Sequence, residues 1–98
     1  MIKRIVKMSF MPERIEEFKQ IYFASSSKIA AFKGCHGVDL LQDKDDPGIF
    51  FTFSVWESEE TLNAYRNSEL FTSVWNSVKI LFNGRPEAWT TETIISPG

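Results

Sequence analysis

The sequence predicts an α+β fold, a four-stranded antiparallel sheet with helices packed on one face. Three observations carry this. Gly48 to Glu57, GIFFTFSVWE, is dense in Phe, Val, Ile and Trp and reads as a central β-strand. Two long segments, 12–33 and 68–82, carry apolar residues at helical spacing. The element order β-α-β-β-α-α-β, with right-handed crossovers, is the split βαβ, ferredoxin-like arrangement.

Residues 2–10, IKRIVKMSF, give a first strand with mixed faces. Pro12 suits a first helical turn, where its missing N–H costs nothing. The helix then runs to about Lys33, roughly 33 Å at ~1.5 Å per residue. Ile15, Phe18, Tyr22, Ile29 and Phe32 form its apolar stripe, and Gly34 stands where a C-cap glycine belongs. Residues 36–43 give a second strand. Lys44 to Gly48, KDDPG, is a turn signal that makes a hairpin with the central strand. Ser58 is an N-cap for a short helix, EETLNAYR, and Asn67 or Ser68 starts the next, ELFTSVWNSVKILF. Its stripe is Phe71, Val74, Trp75, Val78, Leu81 and Phe82, and Asn83-Gly84 ends it. Residues 87–95 form the last strand.

The central strand is informative face by face. One face carries Ile49, Phe51, Phe53 and Val55, and the other carries Phe50, Thr52, Ser54 and Trp56. Helices cover one face of such a sheet. The wholly apolar face is expected beneath them. A second face with Phe and Trp then needs its own cover, either a partner subunit or a ligand in a cavity.

At 98 residues the chain is expected to form a single domain, 1–98. Nine Phe and three Trp favour an interface or an aromatic-lined pocket over a minimal core. A net charge of -2 and scattered basic residues argue against nucleic-acid binding. One Cys rules out an internal disulfide and points to a reducing compartment. MIKRIVKMSF lacks the apolar core of a signal peptide, and no apolar run approaches a membrane span. A cytoplasmic protein is expected. One His, one Cys and scattered carboxylates offer no metal-ligand spacing, and no GxGxxG follows a strand. No cofactor is expected.

His36 is the sole histidine and can accept a phenolic proton; as a residue at a strand start it can equally be an exposed turn side chain. A Cys35–His36 nucleophilic pair is improbable, because adjacent side chains on a strand point to opposite faces. Tyr65 can hydrogen-bond a substrate oxygen and Arg66 can hold an anion; the plainer alternatives are packing and a solvated surface. Phe71 and Trp75, four apart on one helical face, are core residues or the wall of a pocket. Trp56 ends the central strand.

FKGCHGVDLLQDKDDPGIFFTFSVWESEETLNAYRNSELF resembles the antibiotic biosynthesis monooxygenase-like family of dimeric α/β barrels. The turn Gly34 to Gly37, the Asp45 to Pro47 hairpin, Val55 to Glu60 and Tyr65 to Phe71 carry the likeness. The resemblance implies a homodimer formed through packed sheets. It also implies a cofactor-independent monooxygenase that oxidises a small aromatic polyphenol or quinol with O2. His36 would then be the base, Tyr65 a hydroxyl on the substrate, and Trp56, Arg66, Phe71 and Trp75 the binding residues. A haem-degrading branch uses a His on the last helix, a Trp at the end of the short helix and an Asn on the first strand. The corresponding positions hold Trp75 and Tyr65, and residues 2–10 contain no Asn, which argues against haem degradation. A non-catalytic small-molecule-binding or stress-related homodimer, or an isomerase, are the alternatives.

Overall fold

A computed structural model describes all of residues 1–98. The chain forms β1 (Ile2–Ser9), a 3-10 turn (Pro12–Arg14), α1 (Ile15–Ala30), β2 (Cys35–Gln42), β3 (Ile49–Trp56), α2 (Glu59–Arg66), α3 (Glu69–Lys79) and β4 (Glu87–Glu92). One four-stranded sheet has the order β2-β3-β1-β4, with antiparallel pairing throughout. This is the ferredoxin-like arrangement. No helix is long and apolar enough to cross a membrane.

Three elements end three residues earlier than expected, each for a local reason. The first helix stops at Ala30, three residues before Lys33. The chain must turn there to bring Cys35 opposite Trp56 in the sheet. Gly34 makes that turn with a φ of 88°, and its carbonyl accepts the Glu57 N–H at 2.8 Å. A Cβ at Gly34 would overlap the Thr61 side chain. The last helix ends at Lys79, because Leu81 and Phe82 donate to carbonyls only three residues back and so tighten the chain into a turn. Leu81 is still fully buried, and Phe82 forms an isolated bridge with Phe10. The final strand ends at Glu92, which pairs with Ile2, the first residue of β1. Ile94 and Ile95 lie beyond it, exposed.

The two faces of β3 are assigned the other way round from expectation. Phe50, Ser54 and Trp56 are buried beneath the helices, and the wholly apolar Ile49, Phe51, Phe53 and Val55 lie on the bare face. Strand register extends that bare face to Ile5 and Trp89, and to Leu41. Trp89 and Leu41 are exposed. The helical layer has only one large ring to seat at each end of β3, Phe50 against Phe18 and Trp56 against Tyr65. Between those ends it meets the small polar Thr52 and Ser54.

The core is correspondingly split. Met8, Phe10, Phe18, Tyr22, Ile29, Phe50, Val78 and Leu81 form the larger cluster. Ile2, Trp56 and Leu62 form a smaller one.

Candidate active site

A cavity of about 330 Å³ opens between the sheet and the helices, lined by members of both clusters. A volume of this order suits a small organic ligand. Thr52 and Ser54 contribute to its floor, and Phe71, Val74 and Trp75 to its wall. The polar Thr52 and Ser54 on an otherwise apolar strand face are therefore pocket residues.

Each wall has a local cause. Ser58 and Thr61 exchange side-chain bonds with each other's backbone N–H groups, both at 3.2 Å, and this capping box starts α2. Ser68 then joins two site residues. Its hydroxyl donates to the Tyr65 carbonyl at 2.6 Å and accepts from the Phe71 N–H at 3.2 Å. That link sets the corner between α2 and α3. Tyr65 stacks on Trp56 with centroids 4.9 Å apart, and Phe71 meets the Tyr65 ring edge-on at 5.3 Å. Phe71 in turn stacks on Trp75 at 5.9 Å. Such offset and edge contacts hold the rings in register. Trp56 anchors the series, fully buried, with its indole N–H donating to Ser54 Oγ at 2.9 Å.

Of the residues expected from sequence, Tyr65, Arg66, Phe71 and Trp75 come together around the cavity. Trp56 does not line it but supports Tyr65 and Ser54 from behind. His36 is not among the lining residues. It is exposed, at the point where the β2–β3 register slips between Cys35 and Gly37. Five polar lining residues were not among those candidates: Arg4, Tyr22, Thr52, Ser54 and Glu87.

The two tyrosines differ. The Tyr22 hydroxyl is buried without any partner. Its burial pushes the phenol pKa up to about 12, and the charges of Asp39 and Cys35 add to the shift. Tyr65 is also pushed well above the ordinary phenol value, again first by burial and then by Tyr22 and Cys35. Both are therefore neutral hydrogen-bond donors at physiological pH, not bases. Nowhere in the molecule do three or more His, Cys, Asp or Glu side chains gather to hold a metal ion.

The sequence profile of the antibiotic biosynthesis monooxygenase family matches residues 1–75. Solved structures share the fold. One is described as an antibiotic biosynthesis monooxygenase, with a TM-score of 0.91 and 22% identity, covering 97% of this chain and 100% of that one. Rv0793 from Mycobacterium tuberculosis has a TM-score of 0.89 and 18% identity, covering 99% and 98%. A conserved protein from Methanosarcina mazei Go1 has a TM-score of 0.88 and 19% identity, covering 92% and 89%. No functionally curated protein matches the chain.

Proposed function

The chain belongs to the antibiotic biosynthesis monooxygenase family, and we propose on that premise that residues 1–98 form one domain catalysing cofactor-independent oxidation of a small aromatic polyphenol or quinol by O2. The observation that carries the reading is the aromatic-walled cavity with Tyr65 in its lining. Tyr65 makes no side-chain hydrogen bond within the protein, yet its hydroxyl is not sealed off as that of Tyr22 is. It is free to donate to a ligand oxygen.

The chemistry needs few protein groups. Loss of a phenolic proton leaves an electron-rich anion that gives one electron to O2. The radical pair joins through a new C–O bond as a peroxide. Breaking the O–O bond, with loss of the hydrogen on the same carbon, releases water and leaves a carbonyl. One oxygen atom is retained, and the substrate supplies the electrons. Tyr65 would stabilise the substrate oxyanion by donating its proton in a hydrogen bond. Phe71 and Trp75 would stack on the ring and keep water out. The charges of Arg4 and Arg66 would lower the pKa of a bound phenol. Its proton would leave to water beside the exposed Arg66.

A non-catalytic ligand-binding protein is the second reading. It is favoured by the position of His36 outside the cavity, which leaves no histidine facing the ligand. Oxygen uptake by metal-stripped protein with a panel of hydroquinones and anthrones separates the two. The oxygenase reading expects protein-dependent uptake that falls at least about tenfold in Tyr65→Phe and survives in His36→Ala. Loss in His36→Ala would return the base to His36. Ligands that raise the melting temperature with no uptake would favour the binding protein.

The bare sheet face supports a homodimer. Ile5, Phe51, Phe53, Val55 and Trp89 form an apolar surface of the kind that marks an interaction site. A second copy placed face to face would cover it. Sedimentation at micromolar concentration should give about twice the chain mass, and a clean monomer would remove this assignment.

A further inference from the structure

We propose that Arg4 and Arg66 form a subsite for an anionic oxygen substituent, a carboxylate or a phosphate ester, on the aromatic ligand of the cavity. The inference rests on reading that cavity as the ligand site and adds the class of ligand it takes.

Both guanidinium-bearing residues line the cavity, from different elements. Arg4 is on β1, where its cross-strand neighbours are Ser54 and Thr90. Ser54 is buried under the helices, so Arg4 shares the covered face. Arg66 is in the last turn of α2, next to Tyr65. Neither arginine has an ion-pair partner. The molecule's ion pairs are Arg14–Glu17, Lys19–Glu16 and Lys44–Asp45, and none of these six residues lines the cavity. Arg4 makes one side-chain hydrogen bond, from Nη1 to Thr90 Oγ1 at 2.7 Å, and Arg66 makes none. A guanidinium has five N–H donors in a planar fork, so most of this donor capacity is unused.

The one acidic residue of the lining does not neutralise them. Glu87 pairs with Lys7, and Lys7 with Phe51 on the bare face. Register therefore directs the Glu87 side chain to the opposite side of the sheet, and it forms no ion pair with either arginine. Two like charges stand at one apolar cavity with no counter-charge. Arg4 feels this: burial first, and the charge of Arg66 second, pull its pKa below the ordinary guanidinium value. An anionic group between them would relieve the repulsion and form charge-assisted hydrogen bonds in a fork geometry that suits carboxylate and phosphate oxygens. The rest of the ligand would lie along Phe71 and Trp75, with a ring oxygen at Tyr65.

The test is calorimetric binding of three ligands that share one ring: 2-naphthol, 2-naphthoate and 2-naphthyl phosphate. At low salt at least one of the two anions should bind about tenfold or more tightly than 2-naphthol. The tighter of the two identifies the substituent. The advantage should shrink at ~0.5 M salt, because the exposed Arg66 is screened. Arg66→Met, at an exposed position, should cut anion affinity about five- to tenfold, a clearly larger loss than for 2-naphthol. Arg4→Met should do the same. Equal affinities across the series would overturn the proposal. So would undetectable binding of both anions at millimolar concentration, or an Arg66→Met variant that weakens all three ligands alike. The readout needs no turnover. Anion preference without O2 uptake would sink the oxygenase reading alone, and a flat ligand series with O2 uptake would sink this one alone.

Discussion

Replacing Tyr22 with Phe removes a single oxygen atom and should make the unliganded protein more stable. The Tyr22 hydroxyl is buried with no hydrogen-bond partner, while its ring packs near Phe18 with centroids 6.0 Å apart. Phe keeps the ring contact and deletes the orphaned group. Leaving a buried polar group unsatisfied costs about 1–3 kcal/mol. Even the lower end, ~1 kcal/mol, corresponds to a rise of about 4–8 °C in Tm for a domain of this size. The pH dependence carries a second signature. Burial raises the Tyr22 pKa from 10.0 to about 12. The unfolded chain ionises near pH 10, while the folded protein holds its proton until about pH 12. Stability is therefore intact below pH 10 and is lost as pH rises from 10 to 12. At ~1.4 kcal/mol per unit, two units amount to roughly 3 kcal/mol. Tyr65, also raised, adds a loss of the same sign in both proteins. Thermal melts followed by circular dichroism at pH 8 and pH 11 measure both effects. Tyr22→Phe should melt higher at pH 8, and the gap should widen at pH 11. A variant that melts below the wild type at pH 8 would refute the reasoning, because it would mean the hydroxyl has a stabilising partner.

Other substitutions probe the scaffold and the surfaces. Trp56→Phe should cost about 2–3 kcal/mol, since it strands the buried Ser54 hydroxyl as well as removing ring area; adding Ser54→Ala should recover about 1 kcal/mol in a double-mutant cycle by urea unfolding. Gly34→Ala should destabilise the fold by at least about 2 kcal/mol, read as a lower urea midpoint, from the left-handed backbone and the overlap with Thr61. Phe53→Lys places a cation opposite Asp39 on the bare face, so the sheet should tolerate it. The circular dichroism spectrum should be unchanged while the sedimenting mass falls from two chains to one.

Much of this architecture was legible in the residues. Pro12, Ser58 and Ser68 mark helix starts by side-chain chemistry that acts within a few residues, and the KDDPG turn sets the hairpin in the same way. Phe71 and Trp75 stood out by helical spacing, four apart on one face, and Tyr65 as a hydroxyl at the end of the short helix; all three line the cavity. The failures are long-range. Both faces of β3 carry aromatics, so period two alone could not say which one the helices cover. Thr52 and Ser54 were the available signal, since polar residues between Phe50 and Trp56 fit a cavity floor. Arg4 looked like one charge in a mixed strand, and its role needs the register with Ser54 and Thr90. Tyr22 read as one more member of the α1 stripe, because spacing says nothing about whether a hydroxyl finds a partner. His36 drew notice as the only histidine, yet the register slip beside it leaves it exposed.

The proposed function gives the sheet two jobs: the helix-covered face would hold a ligand, and the bare face a second copy of the chain. Methyl chemical-shift mapping with 2-naphthol, on protein labelled at Ile, Leu and Val methyls, tests this division most directly. Val6, Val38, Val74 and Val78 line the cavity, whereas Ile5, Leu41 and Val55 belong to the bare face. The first group should shift and saturate while the second stays still. Shifts confined to Ile5, Leu41 and Val55 would place the ligand on the wrong side of the sheet and contradict the account.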